Sequence, residues 1–310
     1  MVKIKLNQVI FDRHSEEIKN SLETKITNKL KTKLWQYEKK CLNYIKMNLK
    51  DILKADDKQL IEYIEHFKNN FPKAIGNPNT KEKNWKRLYK ILRKDIFEKE
   101  YDSWSQRTKY GAYSFVEGLG LKTCPYCNRN YTFIVNNDNG KLRPEIDHFY
   151  PKSIYPFLAM SFYNLIPSCP TCNHTKKARD SYKEKLINPY EFQINDFKLT
   201  YIPSTVEFND IKNQKYNYDN FEIEFEEHNK NIEVFKLQEL YSQHKDIVLE
   251  LLIKKAYYPK SYIKELEGFG FNEDEIYRYL LGNYQKDEDL HKRPLSKLIK
   301  DISKELGLIK

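Results

Sequence analysis

The chain contains no apolar run approaching the ~20 residues that a bilayer-spanning helix needs. Its opening Met1-Val2-Lys3-Ile4-Lys5-Leu6 lacks the apolar core of a secretory signal. A cytoplasmic protein without membrane contact is therefore expected. Internal repeats and long low-complexity linkers are lacking as well, so a repeat architecture is not expected. Cysteine is scarce: there are five, and four of them fall between residues 124 and 172. Cys41 is left over on a helical pattern. Such a set suits a reducing compartment and a bound metal better than a disulfide framework.

What is present is a long and strongly charged chain. Its 310 residues are 40% hydrophobic, enough for one large or two modest cores. The net charge of +10 is uneven: residues 1–190 carry +15 and residues 191–310 carry −5. A basic first part suits a polyanionic partner, because phosphate contacts release counterions. Lysine-rich helical surfaces without such a partner share this composition, so charge alone does not decide.

Two knuckles of identical spacing organise the sequence, Cys124-Pro125-Tyr126-Cys127 and Cys169-Pro170-Thr171-Cys172. Two thiolates three positions apart can bind one tetrahedral ion, and a second pair completes the closed four-sulfur shell of structural Zn2+. A redox pair does not require a second copy, and cysteines that are merely buried do not require matched spacing. The segment between the knuckles is longer than in a minimal ribbon. The ion would therefore staple a loop that carries something else.

That loop runs Arg143-Pro144-Glu145-Ile146-Asp147-His148-Phe149-Tyr150-Pro151-Lys152-Ser153, then Phe162-Tyr163-Asn164-Leu165-Ile166-Pro167-Ser168, then Cys172-Asn173-His174-Thr175-Lys176. The order D-H-x-x-P-x-S, N-L, C-x-x-C-[HN]-x-x-K resembles the HNH endonuclease superfamily over roughly a sixth of the chain. The third motif position, often histidine, is Asn173 here. The resemblance implies a ββα-metal finger. Tyr131–Val135 and Leu142–Phe149 are predicted strands about a turn at Asn136–Gly140, Tyr163–Pro167 is the next strand, and a helix is predicted from Asn173 to Lys185.

Phosphodiester hydrolysis needs an activated water and relief of charge on the phosphoryl and leaving oxygens. An imidazole can take the proton of water near neutral pH, and His148 is the candidate base. Asp147 and Asn173 offer hard oxygen ligands suited to Mg2+ or Mn2+ rather than to a catalytic zinc. The resemblance implies that Asn164 orders the strand connection and orients His148, and that Lys176 sits near a phosphate. Lys152, Lys177 and Arg143 are the further candidates for nucleic-acid contact. His174 would point about 100° away from Asn173 on a helix, toward solvent or DNA. Arg143 and Glu145 share a strand face with Asp147 and could simply pair with each other.

The rest of the chain reads as scaffold. Leu22, Ile26, Leu30, Leu34, Tyr37, Cys41, Ile45, Leu49 and Ile52 recur at steps of three and four, which predicts one amphipathic helix from Glu16 to Ile52. A second helical run covers Leu60–Phe67, with a loop at Gly76, Pro78 and Asn79. Helix resumes at Asn84 with a basic patch of Lys81, Lys83, Lys86, Arg87 and Lys90, which either lies along DNA or only covers apolar surface. Phe197–Ile202 and Phe221–Phe225 alternate as strands, with a mobile loop expected between them. Helices follow over Phe235–Tyr257, from an Asn272/Glu275 capping box to Tyr284, and from Pro294 to Leu306.

The expected fold is α+β: a mainly helical protein with an embedded, zinc-stapled ββα-metal finger and a small strand-rich insert. Its parts would be a helical region 1–118, a nuclease core 119–190, and a strand-rich insert with C-terminal helices 191–310. The resemblance implies DNA cleavage leaving 5′-phosphate and 3′-hydroxyl ends. The wider pattern is similar to HNH proteins of bacterial anti-phage defence, notably the nuclease subunit of Septu-type systems, which implies an ATPase partner. A non-catalytic zinc module binding nucleic acid or protein, and an RNA-cleaving toxin, are the alternatives.

Overall fold

Apolar periodicity reports which face of a segment is buried, not whether its axis is continuous, and the first part of the chain shows the difference. The structure is a computed structural model that describes residues 1–76, 83–203, 221–258 and 260–308. The single helix expected from Glu16 to Ile52 is three: α1 (Gln8–Leu30), α2 (Gln36–Met47) and α3 (Leu49–Lys54). α1 starts earlier than expected because Asn7 caps it, its side chain accepting from the backbone of Val9 and Ile10. The first break follows Leu30, where Leu34 is only half-buried. The second falls at Asn48, whose side-chain amide donates to the carbonyl of Tyr44 at 2.8 Å. Ile18, Leu22, Ile26, Cys41, Ile45 and Ile52 are fully buried across all three helices, so the stripe survives while the axis turns.

The chain divides into two compact units. The larger comprises Ile4–Leu121 and Phe133–Glu191. After α3 it continues with α4 (Asp57–Asn70), α5 (Lys83–Lys90), a π-helical run over Ile91–Phe97, α6 (Glu98–Ser105) and α7 (Ala112–Leu119). Its core gathers Trp104 and Phe162 edge-on, and Phe115 tilted, around the buried His14. Of the expected basic patch, Lys81 and the side chains of Lys83 and Lys86 lie outside the described residues, as do Pro78 and Asn79 of the expected loop. Arg87 is used within the helical layer: it lies 4.2 Å over the Trp35 ring and 3.1 Å from Glu38.

The finger completes this unit. β1 (Val135–Asn137) and β2 (Gly140–Leu142) form a hairpin, its turn closed by Asn137 Oδ1 accepting from the backbone of Asn139 and Gly140. The expected Leu142–Phe149 strand is interrupted at Arg143-Pro144, because proline has no N–H for a ladder, and β3 is Glu145–His148. β3 pairs antiparallel with β4 (Leu165–Ser168), Asp147 opposite Ile166 and His148 opposite Leu165. β4 begins two residues later than expected because Phe162–Asn164 forms a 3₁₀ turn. The helix after it, α8, is Pro170–Lys176 rather than Asn173–Lys185. Pro170 suits the first helical turn and the Sγ of Cys169 accepts from Cys172, so the helix starts early. It stops at Lys177, which has φ 52.

The smaller unit comprises Met1–Lys3, Lys122–Thr132 and Phe192–Lys310. β5 (Leu199–Pro203) and β6 (Phe221–Phe225) pair antiparallel, Leu199 opposite Phe225. The loop expected between them lies outside the described residues. The helices are α9 (Lys230–Val234), α10 (Leu237–Tyr241), α11 (Lys245–Tyr257), α12 (Lys260–Gly268), α13 (Glu273–Leu281) and α14 (Ser296–Glu305). The helices expected over Phe235–Tyr257 are present, set apart from α9 by Lys236 at φ 54 and from each other by a 3₁₀ turn at Ser242–His244. The Asn272/Glu275 capping box is present, with both reciprocal bonds made. Its helix ends at Gly282 in the left-handed region, short of Tyr284. The last helix opens at Ser296 instead of Pro294, after Leu295 at φ 59.

The architecture is thus mainly helical α+β, with small antiparallel strand pairs and a buried four-cysteine cluster.

Candidate active site and zinc cluster

The first knuckle sits in a tight loop. Thr123 bridges Tyr131, Cys124 N–H donates to the Asn130 carbonyl, and Asn128 N–H donates to the Cys124 carbonyl, with Asn128 itself at φ 49. Asn128 is buried and its side chain is fully engaged. Nδ2 donates to Thr123 and to the Leu290 carbonyl, while Oδ1 accepts from Ser296 and from Lys297 N–H. Tyr241 donates to the Cys127 carbonyl at 2.7 Å. The second knuckle opens α8, where Cys172 N–H points at Cys169 Sγ.

Cys124, Cys127, Cys169 and Cys172 are all buried free thiols, and their sulfurs lie within 4.8 Å of one another. A tetrahedral zinc with Zn–S near 2.3 Å requires S···S separations of about 3.8 Å, so the cluster is of a size that could hold the ion, and its cysteines are free. Among the described residues this is the one group of three or more histidine, cysteine or carboxylate side chains close enough to hold a metal. Cys41 is buried apart from it, its thiol pushed up by burial.

β3 and α8 meet through two polar rungs. Glu145 and Asp147 share a face of β3 by period-two alternation, and Asn173 and Lys176 lie one helical turn apart on α8. Asn173 Nδ2 donates to Glu145 Oε2 at 2.7 Å. Lys176 Nζ lies 3.2 Å from Asp147 Oδ1 and 3.1 Å from Oδ2, and donates to the His148 carbonyl at 3.0 Å. The lysine is completely buried and Asp147 is 3% exposed. His174 lies outside the rungs, 72% exposed, with Nε2 3.4 Å from the other Glu145 oxygen.

His148 is 8% exposed. Its Nε2 lies 3.1 Å from the carbonyl of Ala159. A carbonyl only accepts, so Nε2 carries the proton and Nδ1 keeps its lone pair. Burial, aided by the charges of Lys152 and Lys176, holds this histidine well below its ordinary pKa. The fully buried Asn164 fixes the connection from which the carbonyl comes. Its Nδ2 donates to Leu158 and Tyr150 carbonyls and its Oδ1 accepts from Tyr150 N–H at 2.6 Å.

The remaining candidates are spread around this core. Arg143 does not pair with Glu145: its guanidinium lies 5.6 Å over Tyr113 and donates to the Pro144 carbonyl. Lys152 sits 4.2 Å over the Tyr101 ring, its pKa lowered by burial. Lys177 is exposed at the end of α8.

A curated relative shares part of this chain. Over 45 residues it is 51% identical to Septu protein PtuB of Bacillus thuringiensis, a match covering 14% of this chain and 18% of that protein. No family model matches the chain, and no solved structure matches it.

Two side chains at the site were not given a role by the sequence. Tyr101 of α6 packs on His148 with ring centroids 4.7 Å apart, and burial raises its pKa to about 12. Nothing local announces it, because it arrives from another helix. Glu145 did carry a signal, its i−2 relation to Asp147, but strand alternation cannot say which helix residue lies opposite.

Proposed function

We propose that this chain is a divalent-metal-dependent endonuclease of the HNH type, hydrolysing phosphodiester bonds of DNA. The observation that carries the reading is the anchored imidazole. With Nε2 donated to Ala159 and its pKa depressed, His148 is neutral at pH 7 and offers Nδ1 as the base for a water molecule. Tyr101 limits ring motion on one side, and Asn164 fixes the backbone that holds the other.

Asp147 and Asn173 would hold Mg2+ or Mn2+, with water and substrate as the other ligands. A carboxylate and an amide oxygen with no thiolate among them suit such an ion in donor type, and the ion would share the Asp147 carboxylate with Lys176. When bound, the ion neutralises charge on the phosphoryl and leaving oxygens. Lys176 neutralises Asp147 and fixes its direction. Arg143, Lys152 and Lys177 supply positive charge to the phosphates on either side. The motif order implies 5′-phosphate and 3′-hydroxyl products. The partial likeness to Septu protein PtuB supports a role in anti-phage defence. The motif resemblance, not that likeness, implies an ATPase partner with the nuclease as effector.

The test is parallel digestion of duplex DNA, single-stranded DNA and RNA with added Mg2+ or Mn2+, for wild type and His148→Ala. Loss of duplex cleavage in the variant, with zinc content retained, supports the reading. Isolation together with the products of neighbouring genes tests the partner. A second reading, a zinc-stabilised binding module without catalysis, is favoured by the enclosure of His148 and by the pairing of Asp147 with Lys176. It requires that His148→Ala change no activity.

A further inference from the structure

We infer that Glu145 is a positioning residue for the divalent ion, setting the side-chain amide of Asn173 so that its oxygen, and not its nitrogen, faces the ion. The inference rests on the nuclease reading above and goes beyond it, since neither the motif nor the relative assigns this residue a role.

A primary amide has two ends of nearly equal shape and opposite polarity. Only Oδ1 can ligate a cation. The Nδ2 end carries two N–H groups and repels one. An asparagine serving as ligand therefore needs something that tells the two ends apart. In this chain a carboxylate does so: Glu145 Oε2 lies 2.7 Å from Asn173 Nδ2. An ionised carboxylate can only accept, so the nitrogen must face Glu145, and the amide oxygen is turned to the opposite side. The flipped amide would set oxygen against carboxylate and N–H against the ion, both repulsive.

The backbone makes this bond possible. Glu145 is paired opposite Ser168 at the start of β3, and β4 runs from Ser168 through the Cys169 cap directly into α8. The carboxylate is thereby held against the first turns of α8, and Asn173 is the side chain it meets. Glu145 is 38% exposed at its side chain, so removing it strands no deeply buried charge. Its second oxygen lies 3.4 Å from His174 Nε2, a further hold on the same carboxylate. Outer partners of this kind are typically worth about 10–100-fold in metal affinity.

The experiment is a Mn2+ titration of the zinc-loaded, full-length protein without nucleic acid, followed by calorimetry and by the electron paramagnetic resonance of free Mn2+. Asn173→Ala is the reference and should lose most of the binding. Glu145→Ala should weaken Mn2+ about 10-fold or more. Glu145→Asp, which keeps the charge but withdraws the oxygen by one methylene, should weaken it as well and serves where the alanine variant does not fold. Glu145→Gln, whose amide can offer its oxygen to Asn173 but no longer excludes the flipped arrangement, should weaken Mn2+ less than Glu145→Ala does. Unchanged affinity in Glu145→Ala or Glu145→Asp beside a defective Asn173→Ala would overturn the role of Glu145 alone. Unchanged binding in Asn173→Ala would bring down the divalent-ion reading, and Glu145 with it.

Discussion

The Lys176 ammonium is completely buried and touches both carboxylate oxygens of Asp147, at 3.1 and 3.2 Å. A buried pair of this kind is costly to break on one side only, because the remaining charge keeps its desolvation penalty and loses its compensation. Lys176→Met should therefore destabilise the protein by about 3–5 kcal/mol. Adding Asp147→Asn to Lys176→Met removes the stranded charge and should recover a substantial part of that loss. Urea unfolding of the two single variants and the double variant measures the coupling. Equal and additive losses would show that the pair does not act as a unit.

The proposed role of His148 as general base is tested by kinetics at constant fold. His148→Ala should lower the rate of DNA cleavage by about 10²–10⁴-fold, the usual range for a positioned proton acceptor. Zinc stoichiometry and the thermal midpoint, measured on the same preparation, separate this from a folding defect. Imidazole added to the variant enters the vacated space poorly, since His148 is 8% exposed, so little chemical rescue is expected.

The four-cysteine cluster predicts a different phenotype. Cys169→Ser should abolish stoichiometric zinc, measured by plasma mass spectrometry, and should cost several kcal/mol of stability, because binding free energy at such a site is folding free energy. The Sγ of Cys169 also accepts the first bond of α8, and the serine hydroxyl can accept it in its place, so the cap of the helix that carries Asn173 and Lys176 should survive in this variant. Cys41→Ser is the control. Its thiol lies outside the cluster, and zinc content should remain that of wild type.

How much of this was legible in the chain depends on the range of the interaction. The matched C-x-x-C spacing announced the cysteine cluster because each knuckle is local and the second repeats the first. Asp147, His148, Asn164 and Asn173 could be named together, and β3, the strand connection and α8 carry all four in one unit, while their chemical roles stand as proposed. The helix ends were less legible. The apolar stripe from Leu22 to Ile52 passes through two breaks without losing phase, and the signals that end the helices, Asn48 and the left-handed Lys177 and Lys236, are not glycines or prolines. The motif resemblance implied that Lys176 sits near a phosphate. Its burial on Asp147 depends on the β3–α8 crossing, which no periodicity encodes. Tyr101 was invisible for the same reason.

His14 supplies a prediction for stability against pH. It is completely buried, with Nε2 donating to the Met160 carbonyl at 2.8 Å and Nδ1 accepting from Tyr110 at 3.1 Å. Desolvation by burial lowers its pKa from 6.5 to about 4. The folded state therefore refuses a proton that the unfolded chain accepts, and the unfolded chain binds more protons throughout the window between these values. Stability is full above pH 6.5 and is lost as pH falls toward about 4. Between pH 7.5 and 5 the loss from this one group should be about 2 kcal/mol. His14→Gln keeps a donor and an acceptor at the position and cannot titrate. Urea midpoints for the two proteins at both pH values isolate the contribution from other groups, because only the difference between their pH slopes belongs to His14. The variant should start less stable at pH 7.5, through imperfect bonds to Met160 and Tyr110, and should lose about 2 kcal/mol less than wild type on acidification. Parallel slopes would mean that His14 takes up its proton in the folded state, with Tyr110 and Met160 rearranged to accept it.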